Sequence, residues 1–588
     1  MVPVIGNTLY SQDALVVIQG LKATASIVKC PLKSIEKSLP VLVRQSLDIV
    51  RQAGNTESDV VQTAFRTLAV IIRDCTTFQV KEKDLVYLLE VLTPDLEEPN
   101  RQASVFGLLR AIISRKFLVS EIYDIMDKVA EIMVTNQSGQ VQELCRAVLL
   151  QFLLDYPQGQ GRLRTQMSFL AQNLSYVYES GRRSVMELLN AIFLKFDAAL
   201  LREHADLFFV ALVMAIANDD SSKCREMAAE LIKQLVALLD SDHRRTILSH
   251  LHSWSSQKAQ LHLSRVSAQV YGLVVDTLQQ EVIPYLPGLL EDINVAMRQS
   301  AMELQDLETN LDSNSASWMG VDMEWQLPYH ALNVISKVLR VCPELAKKHD
   351  KINWSVIGSH LLFPHAWVRN ASSRLVGLLF NTRLPSLPDP SLTHDSLVSL
   401  SGLIDVARKS CLQLRSDTLD SSLSLQVVKN LFYLGKCFCL VSSARPADDG
   451  REGVAEDSQD VEVNQESEDK LENIRDNPLP WLFSKLSYQA RSAWIARRNL
   501  PTGQVCPLRR SLMLKTQISQ DNWSEQPLAI FRWFAAMASH LESAQLETFL
   551  VHILSPVYRV LDDDTIHDTQ MGLLSFTLHI PTLTSWLM

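Results

Sequence analysis

Arginine side chains near aromatic rings are the residues of this chain whose types and spacing best suit a binding chemistry. Arginine forks grip phosphate groups, and aromatic faces stack on unpaired bases. Tyr488 and Trp494 lie among one group of arginines, and a second group lies beside a turn. The candidate RNA or phosphate contacts are Arg491, Arg497, Arg498, Arg509, Arg510, Arg182 and Arg183. Alternatively, these are ordinary solvated faces, or the acidic segment near residue 460 folds back onto the first group.

Histidines and cysteines give two weaker candidates for a metal site. Cys437 and Cys439 are one residue closer than the usual Cys-x-x-Cys knuckle, and no second pair follows them. Four histidines beside basic residues can coordinate a metal or contact phosphate; they are His243, His250, His252 and His262. We interpret the cysteines as core thiols and the histidines as solvated or partly buried helix residues.

Motifs of catalysis are not found in the sequence. No Gly-rich phosphate loop follows a strand pattern, and no Gly-x-Ser-x-Gly nucleophile elbow occurs. The acid pair Asp219-Asp220 lies at a helix edge, where it can accept the free N–H groups of the next helix. We therefore predict no catalytic, cofactor-binding or metal-binding residues, and an enzyme hidden in an irregular insert is the least favoured alternative.

Composition narrows the class of protein. Apolar residues make up 47% of the 588 residues. Leu is the dominant apolar residue, and runs of β-branched residues typical of strands are scarce, which favours helices over strands. No apolar run reaches the roughly 18 residues that suggest a membrane span, and the N-terminus lacks the pattern of a secretory signal. Nine scattered cysteines are typical of buried thiols in a reducing compartment.

Acidic charge is concentrated in one segment. The net charge of the chain is −10, and the residues from Asp448 to Asp476 alone carry −9. Their composition is rich in Glu, Asp, Ser and Gln and shows no apolar period. Such a segment buries too little apolar area to offset the entropy of ordering. We therefore predict a disordered acidic linker over 445–477, between parts of the chain that are nearly neutral.

A recurring helical unit organises the rest of the sequence. Each unit has a polar break and then an apolar helix with a small or sulfur-containing residue inside it. These residues are Ala64, Ala103, Cys145, Met186 and Ala228, with steps of roughly 39 to 42 residues, the period of HEAT or armadillo units. The helix 184–196 carries an apolar stripe too wide for a single neighbour, and stacking in an array covers it. The sequence predicts an all-α fold, an α-solenoid of HEAT/armadillo-like repeats.

We expect four regions along the chain. Residues 1–242 form regular HEAT-like repeats, and 243–444 form less regular helical repeats. The acidic linker at 445–477 follows. Residues 478–588 form C-terminal helical repeats, which we interpret as truncated because no polar capping unit closes them.

Three blocks of sequence resemble a known family. They are Val70–Asp74 (VIIRD), Gly181–Leu189 (GRRSVMELL) and Leu479–Ser487 (LPWLFSKLS). The blocks resemble the C-terminal portion of the large HEAT-repeat component of the small-subunit processome, the "down-regulated in metastasis" family. Because members of that family are several times longer, the resemblance implies that this chain is a fragment or a short isoform.

The resemblance also implies a function. It implies a nucleolar, non-catalytic scaffold that supports pre-rRNA processing and assembly of the small ribosomal subunit, without a cofactor. The implied partners are other processome proteins and pre-ribosomal RNA. A different class of protein stays open from the residues, an importin-like helical-repeat adaptor that binds protein cargo on one face.

Overall fold

Helices are the only regular elements in the part of the chain that the structure, a computed structural model, describes. The described residues are 2–30, 33–98, 100–257, 260–311, 323–348, 351–388, 396–415, 419–443, 474–499 and 525–561. None of the helices in these ranges has the length and apolar character needed to cross a membrane. The chain divides into two compact units, Met1–His250 and Leu251–Met588. The all-α prediction is therefore confirmed.

The first unit contains thirteen α-helices within the described residues, and a fourteenth runs across its end. They are α1 (Val2–Thr8), α2 (Ala14–Ile27), α3 (Lys33–Gln52), α4 (Asp59–Asp74), α5 (Glu82–Leu92), α6 (Gln102–Ser114), α7 (Glu121–Thr135), α8 (Gly139–Asp155), α9 (Gln160–Asn173), α10 (Glu179–Lys195), α11 (Ala198–Glu203), α12 (Ala205–Asn218), α13 (Ser222–Leu238) and α14 (Ser241–Ser255).

These helices stack in two layers. One layer is α2, α4, α6, α8, α10 and α13, each helix packed on the next. In the other layer α5 packs on α7 and α9 on α12. Helices α3 and α4, α7 and α8, α9 and α10, and α12 and α13 pair across the layers. This succession of two-helix units confirms the predicted helical-repeat architecture.

Polar residues fix where individual helices begin. The Ser58 hydroxyl accepts the Val60 N–H at the start of α4, and the Ser221 hydroxyl accepts the Cys224 N–H at the start of α13. These side chains satisfy N–H groups that have no partner inside the helix. Asp219 adds to the second cap, because its Oδ1 accepts the Ser221 N–H at 2.9 Å. The predicted capping role of the acid pair is confirmed at Asp219.

The sequence pattern predicts a polar break at Ser180-Gly181-Arg182, ahead of the apolar helix 184–196, and this break is misplaced. Ser180, Gly181 and Arg182 lie in the first turn of α10, and the break comes before them, at residues 174–178. Gly181 serves close packing rather than a turn, because a Cβ at this position would clash with the Val134 carbonyl oxygen and the Tyr176 ring. The glycine therefore lets α10 approach the end of α7 more closely than any larger residue allows.

Helix α10 shows how a repeat is held. Met186, Leu189 and Ile192 are fully buried, and the Phe193 ring meets Phe208 of α12 edge-on at 5.7 Å between centroids. Helices α7, α8, α9 and α13 all contact α10. The stripe predicted from the sequence is thus covered from several sides, as stacking requires.

The second unit repeats the arrangement of the first. Its helices are α15 (Leu261–Leu278), α16 (Leu286–Leu311), α17 (Gln326–Val341), α18 (Trp354–Ser359), α19 (Ala366–Asn381), α20 (Leu400–Gln413), α21 (Ser421–Ser443), α22 (Pro478–Asn499), α23 (Glu525–Ala538) and α24 (Ser543–Leu561). One layer is α15, α17, α19, α21 and α23, and the second layer includes α16 packed on α18 and α22 packed on α20 and α24.

Most of the predicted acidic linker lies outside the described residues, as do 562–588 at the end of the chain. The last part of the linker is an exception. Residues 474–476 are helical, and Ile474 is buried. The side chain of Ile474 therefore packs within the protein, unlike that of a solvated linker residue. The remaining regional boundaries stay predictions.

Burial keeps two histidines of the second unit neutral. It lowers the pKa of His360 to about 4 and that of His330 to about 4. The His360 Nδ1 lies 2.7 Å from the Val356 carbonyl oxygen, and its Nε2 lies 3.0 Å from the Ser300 hydroxyl. A carbonyl only accepts, so Nδ1 carries the proton and Nε2 accepts from Ser300. Protonation of Nε2 would place a positive charge in the buried interior, which is the main cause of the lowered pKa.

Mild acid is therefore expected to destabilise the second unit. The unfolded histidines bind protons below about pH 6.5, whereas the folded ones resist until about pH 4. The contribution of these two histidines to the free energy of unfolding is thus fully present above pH 6.5, and it is lost as the pH falls from 6.5 to about 4. We expect His360 alone to account for about 3 kcal/mol. Urea unfolding followed from pH 7 to pH 4 measures the loss.

A matched pair of variants isolates this effect. His360→Gln should be less stable than the parent at pH 7 but should lose less stability on acidification. His262 is exposed, so His262→Gln should reproduce the parent profile. A profile of His360→Gln that is parallel to the parent would show that another group is responsible.

Candidate nucleic-acid interface

The first group of predicted arginines lies on α22 and beyond it. Arg491 is half-buried beside His552 of α24. Burial lowers the pKa of that imidazole, and the charge of Arg491 lowers it further. Four predicted contacts have side chains outside the described residues: Arg497 and Arg498, near the end of α22, and Arg509 and Arg510. Phosphate contact at these five positions stays a prediction.

Arg182 is held firmly within the protein. Its side chain is 9% exposed. Nε and Nη2 donate to the two oxygens of Asp219 at 2.8 and 2.9 Å, and Nη2 also donates to Asp220 at 2.6 Å. Nη1 donates to the carbonyls of Tyr176 and Val177 at 2.9 and 3.0 Å. All three nitrogens thus have partners, which favours a structural role, and phosphate contact at Arg182 stays a prediction.

Arg183 has a different environment although it is the next residue. Its side chain is 37% exposed, and Nη2 lies 4.0 Å from an oxygen of Glu187. Glu187 is held more closely by Arg146 of α8, at 2.7 Å. Such a long, exposed ion pair contributes little to stability. Of the two neighbouring arginines, Arg183 is the one whose charge faces solvent.

Arg182 also belongs to a set of side chains that close the turns between helices. At five such turns, a long polar side chain donates a hydrogen bond to the backbone carbonyl six residues before it. This bond satisfies a backbone acceptor at the end of the preceding segment. The pairs, at 2.6 to 2.9 Å, are Gln62 to Thr56, Gln142 to Asn136, Arg182 to Tyr176, Arg225 to Asp219 and Arg369 to Phe363. The repeat period is the sequence signal from which these positions can be found.

An aromatic cluster at the surface of the second unit was not predicted from the sequence. We call Trp325, Tyr329, His365 and Trp367 the aromatic platform. The Trp325 and His365 rings are parallel, with centroids 3.9 Å apart and an angle of 2°. The Trp367 ring lies 5.2 Å from Trp325, 5.6 Å from His365 and 5.7 Å from Tyr329. Trp367 is nevertheless 57% exposed, so a fixed indole presents a broad face to solvent.

Two successive repeats contribute to the platform, each with an aromatic residue at the start of its helix. Trp325 immediately precedes α17, and His365 immediately precedes α19. The Trp367 N–H donates to His365 Nδ1 at 3.3 Å, which caps α19. Burial lowers the pKa of His365, and the charge of Arg369 lowers it further. The neutral imidazole needed for the cap is thereby favoured, and the ring stays in place under Trp325.

Charged side chains near the platform are mostly paired. Arg265 lies 3.3 Å from Glu324, and Lys337 lies 2.6 Å from Asp276. Arg374, two turns into α19, is exposed. Among the described residues no carboxylate forms an ion pair with it. The surface therefore combines an aromatic face for stacking with the exposed cation Arg374 on the same helix, which suits a planar ligand that carries negative charge.

The candidate metal ligands have other roles in the structure. Within the described ranges, no three histidine, cysteine or acidic side chains are grouped for a metal ion. The His252 Nδ1 lies 2.8 Å from Asp292, which also accepts from the Tyr271 hydroxyl at 2.6 Å. Cys437 and Cys439 are buried, and burial raises the pKa of Cys439 to about 11. These thiols are core residues, as interpreted from the sequence.

Two curated proteins are similar to this chain in sequence. A Schizosaccharomyces pombe protein named "U3 small nucleolar RNA-associated protein 20" is 35% identical over 456 residues, which is 76% of this chain and 17% of that protein. A Saccharomyces cerevisiae protein of the same name is 32% identical over 376 residues, 64% of this chain and 14% of that protein. The chain thus spans less than a fifth of the length of these relatives.

Similarity to solved structures is low. A Kap121p mutant aligns with 98% of this chain and 66% of its own, at 12% identity and a TM-score of 0.34. Importin beta aligns with 99% of this chain and 74% of its own, at 11% identity and a TM-score of 0.30. No family model matches the chain. The fold assignment therefore rests on the helix contacts described above.

Proposed function

Because this chain is homologous to the proteins named U3 small nucleolar RNA-associated protein 20, we propose that it is a non-catalytic scaffold in the assembly of the small ribosomal subunit. It acts in the small-subunit processome of the nucleolus and supports the processing of pre-ribosomal RNA. Its partners are other processome proteins and pre-ribosomal RNA. The observation that carries this proposal is the identity of 35% and 32% to relatives whose names state an association with U3 RNA.

The distribution of unusual ionisable groups supports binding rather than catalysis. Active sites gather groups with shifted pKa values around a cleft. Here burial raises the pKa of Cys145 to about 12 in the first unit and that of Cys411 to about 12 in the second, and it lowers that of His360 to about 4. These groups are scattered through helix packing. The stacked layers leave rows of surface side chains on which a scaffold binds its partners.

Affinity purification from nuclear extract tests the proposal. We expect the tagged chain to recover U3 RNA, pre-rRNA and processome proteins, and ribonuclease to release the contacts that pass through RNA. The tag expressed without the chain serves as the control and should recover none of them. Recovery of soluble cargo proteins without these RNAs would refute the scaffold and favour an importin-like adaptor.

The predicted basic group gives the proposal a more specific form, in which arginines on and after α22 contact RNA phosphates. Reversing four charges should weaken binding of the full chain to RNA. It should also flatten the salt dependence, because fewer counterions are released. The affinity for labelled RNA across a salt series is the measurement. The substitutions are Arg497→Glu, Arg498→Glu, Arg509→Glu and Arg510→Glu.

A second fourfold variant controls for net charge. It reverses exposed lysines of the first unit, at positions of α3, α5, α7 and α13, and it changes the total charge by the same amount. The salt slope of this control should stay closer to that of the parent. Equal slopes for the two variants would mean that only net charge matters. The control substitutions are Lys37→Glu, Lys83→Glu, Lys128→Glu and Lys223→Glu.

A further inference from the structure

We infer that the aromatic platform binds single-stranded RNA, with an unpaired base stacked on the exposed face of Trp367. This inference rests on the proposed function and identifies a surface for it, on a different part of the chain from the predicted basic group. The platform consists of described residues of the second unit, so its geometry carries the argument.

Preorganisation is the first argument. Trp325 and His365 stack in parallel at 3.9 Å, and the Trp367 indole is held against their edges at 5.2 and 5.6 Å. Its backbone is fixed as well, because the Trp367 N–H donates to the His365 imidazole. A ring that is already immobile loses little entropy when a ligand stacks on it. The energy of stacking is then available for affinity.

Exposure is the second argument. Helix α17 contacts α19, and Trp325, Tyr329 and His365 lie against Trp367. Trp367 is nevertheless 57% accessible. A large aromatic surface that is rigid and open is the form of platform on which single-stranded nucleic acids stack. A base in a duplex is covered by its neighbours and cannot reach such a surface.

Charge is the third argument. Arg374 lies seven residues after Trp367 on α19, so both side chains are on one face of the helix. One guanidinium nitrogen donates to the Ser422 hydroxyl at 3.0 Å, which orients the group. A guanidinium has further donors in its fork that suit a phosphate. A strand whose base stacks on Trp367 can thus place its backbone near a cation.

The observations favour RNA over a peptide partner. Glu324, the acid next to Trp325, is held by Arg265 at 3.3 Å, whereas Arg374 is exposed and forms no ion pair with a carboxylate of the described residues. A basic peptide would meet that cation unfavourably, whereas an anionic strand would not. Stacking is also tolerant of sequence, because every base has a flat face. We therefore expect weak sequence preference and clear preference for unpaired strands.

Binding assays with the purified full chain test the inference. The probes are a labelled 12-nucleotide single-stranded RNA of mixed sequence and the matched duplex. Trp367→Ala should weaken binding to the single strand about tenfold and change duplex binding little. Trp367→Phe should retain much of the affinity, because a flat ring remains. Tyr10→Ala removes an aromatic residue of the first unit that is 61% exposed and should have no effect.

Several results would overturn the inference. One is unchanged single-strand affinity in a Trp367→Ala variant whose thermal unfolding matches the parent. Another is equal loss of single-strand and duplex binding, which would indicate a general change in charge or fold. Loss of a processome protein without loss of RNA affinity would assign the platform to a protein partner.

The proposed function is tested separately. If the parent chain recovers pre-rRNA from extract while Trp367→Ala binds RNA normally, only the platform is refuted. If the parent recovers neither U3 RNA nor pre-rRNA, the proposed function fails, whatever the oligonucleotide assay gives.

Discussion

Replacing Ile192 by aspartate is expected to lower the free energy of unfolding of the first unit by more than about 4 kcal/mol. Ile192 is 0% exposed, on a helix that contacts four others. The substitution removes a buried aliphatic group, worth about 1.5–3 kcal/mol, and places a carboxylate where no cation pairs with it. Since whole domains are stable by only about 5–15 kcal/mol, the neighbouring repeats are expected to unfold with it.

Leu194→Asp is the matched control for this prediction. Leu194 lies on the same helix, two residues further on, and is 72% exposed. The same change of residue type is expected to alter stability there by no more than about 0.5 kcal/mol. Urea unfolding followed by circular dichroism compares the two variants. Similar losses for both would contradict the placement of α10 between stacked neighbours.

Removing the Arg182 side chain is expected to have the second-largest effect, about 3–5 kcal/mol of destabilisation for Arg182→Ala. Asp219 is only 2% exposed, and without Arg182 its carboxylate stays buried and unpaired. The carbonyls of Tyr176 and Val177 lose their donor as well. The free energy of unfolding, measured in urea at pH 7, gives the size of the loss.

Two further variants make this prediction specific. Arg183→Ala removes the same charge from a half-exposed side chain and should change stability by less than about 1 kcal/mol. In Arg182→Met with Asp219→Asn, no buried charge is left alone, so part of the lost stability should return. An equal effect of the two arginines, or an additive loss in the double variant, would count against the buried pair.

Helices and their buried faces were mostly predictable because burial follows a local period. The stripe of α10 was found in this way. Helix α2 shows the limit of the method, because Val17 and Leu21 are buried whereas Leu15 is 71% exposed. An apolar helix has more than one candidate stripe, and its neighbours decide which one is covered. On this helix, spacing alone predicts the stripe Leu15, Ile18, Leu21 and Ala25, which includes the exposed Leu15 and misses the buried Val17.

The five residues from which the repeat period was derived show the same limit. Ala64, Cys145, Met186 and Ala228 are fully buried, as expected of small and sulfur-containing residues inside a repeat. Ala103 is exposed. The regular spacing of small residues shows how long a repeat is, but it does not show which side of the helix each small residue occupies. The period could therefore be read from the sequence, but the phase in α6 could not.

The candidate site was harder to predict because its residues meet across repeats. The charge of Arg182 was visible in the sequence, but its partner Asp219 lies 37 residues away. The ring pair of Trp325 and His365 likewise joins two repeats. Which residues face each other depends on how far one repeat is rotated against the next, and no local pattern encodes this rotation.

Ultraviolet crosslinking of the tagged full chain in nuclei, followed by sequencing of the attached RNA, tests most directly whether the chain is a scaffold that contacts pre-ribosomal RNA. The account predicts crosslinks to pre-rRNA or U3 RNA, reduced in Trp367→Ala and in the fourfold arginine variant but retained in Tyr10→Ala. An absence of crosslinks to either RNA, with soluble cargo proteins recovered instead, would contradict it.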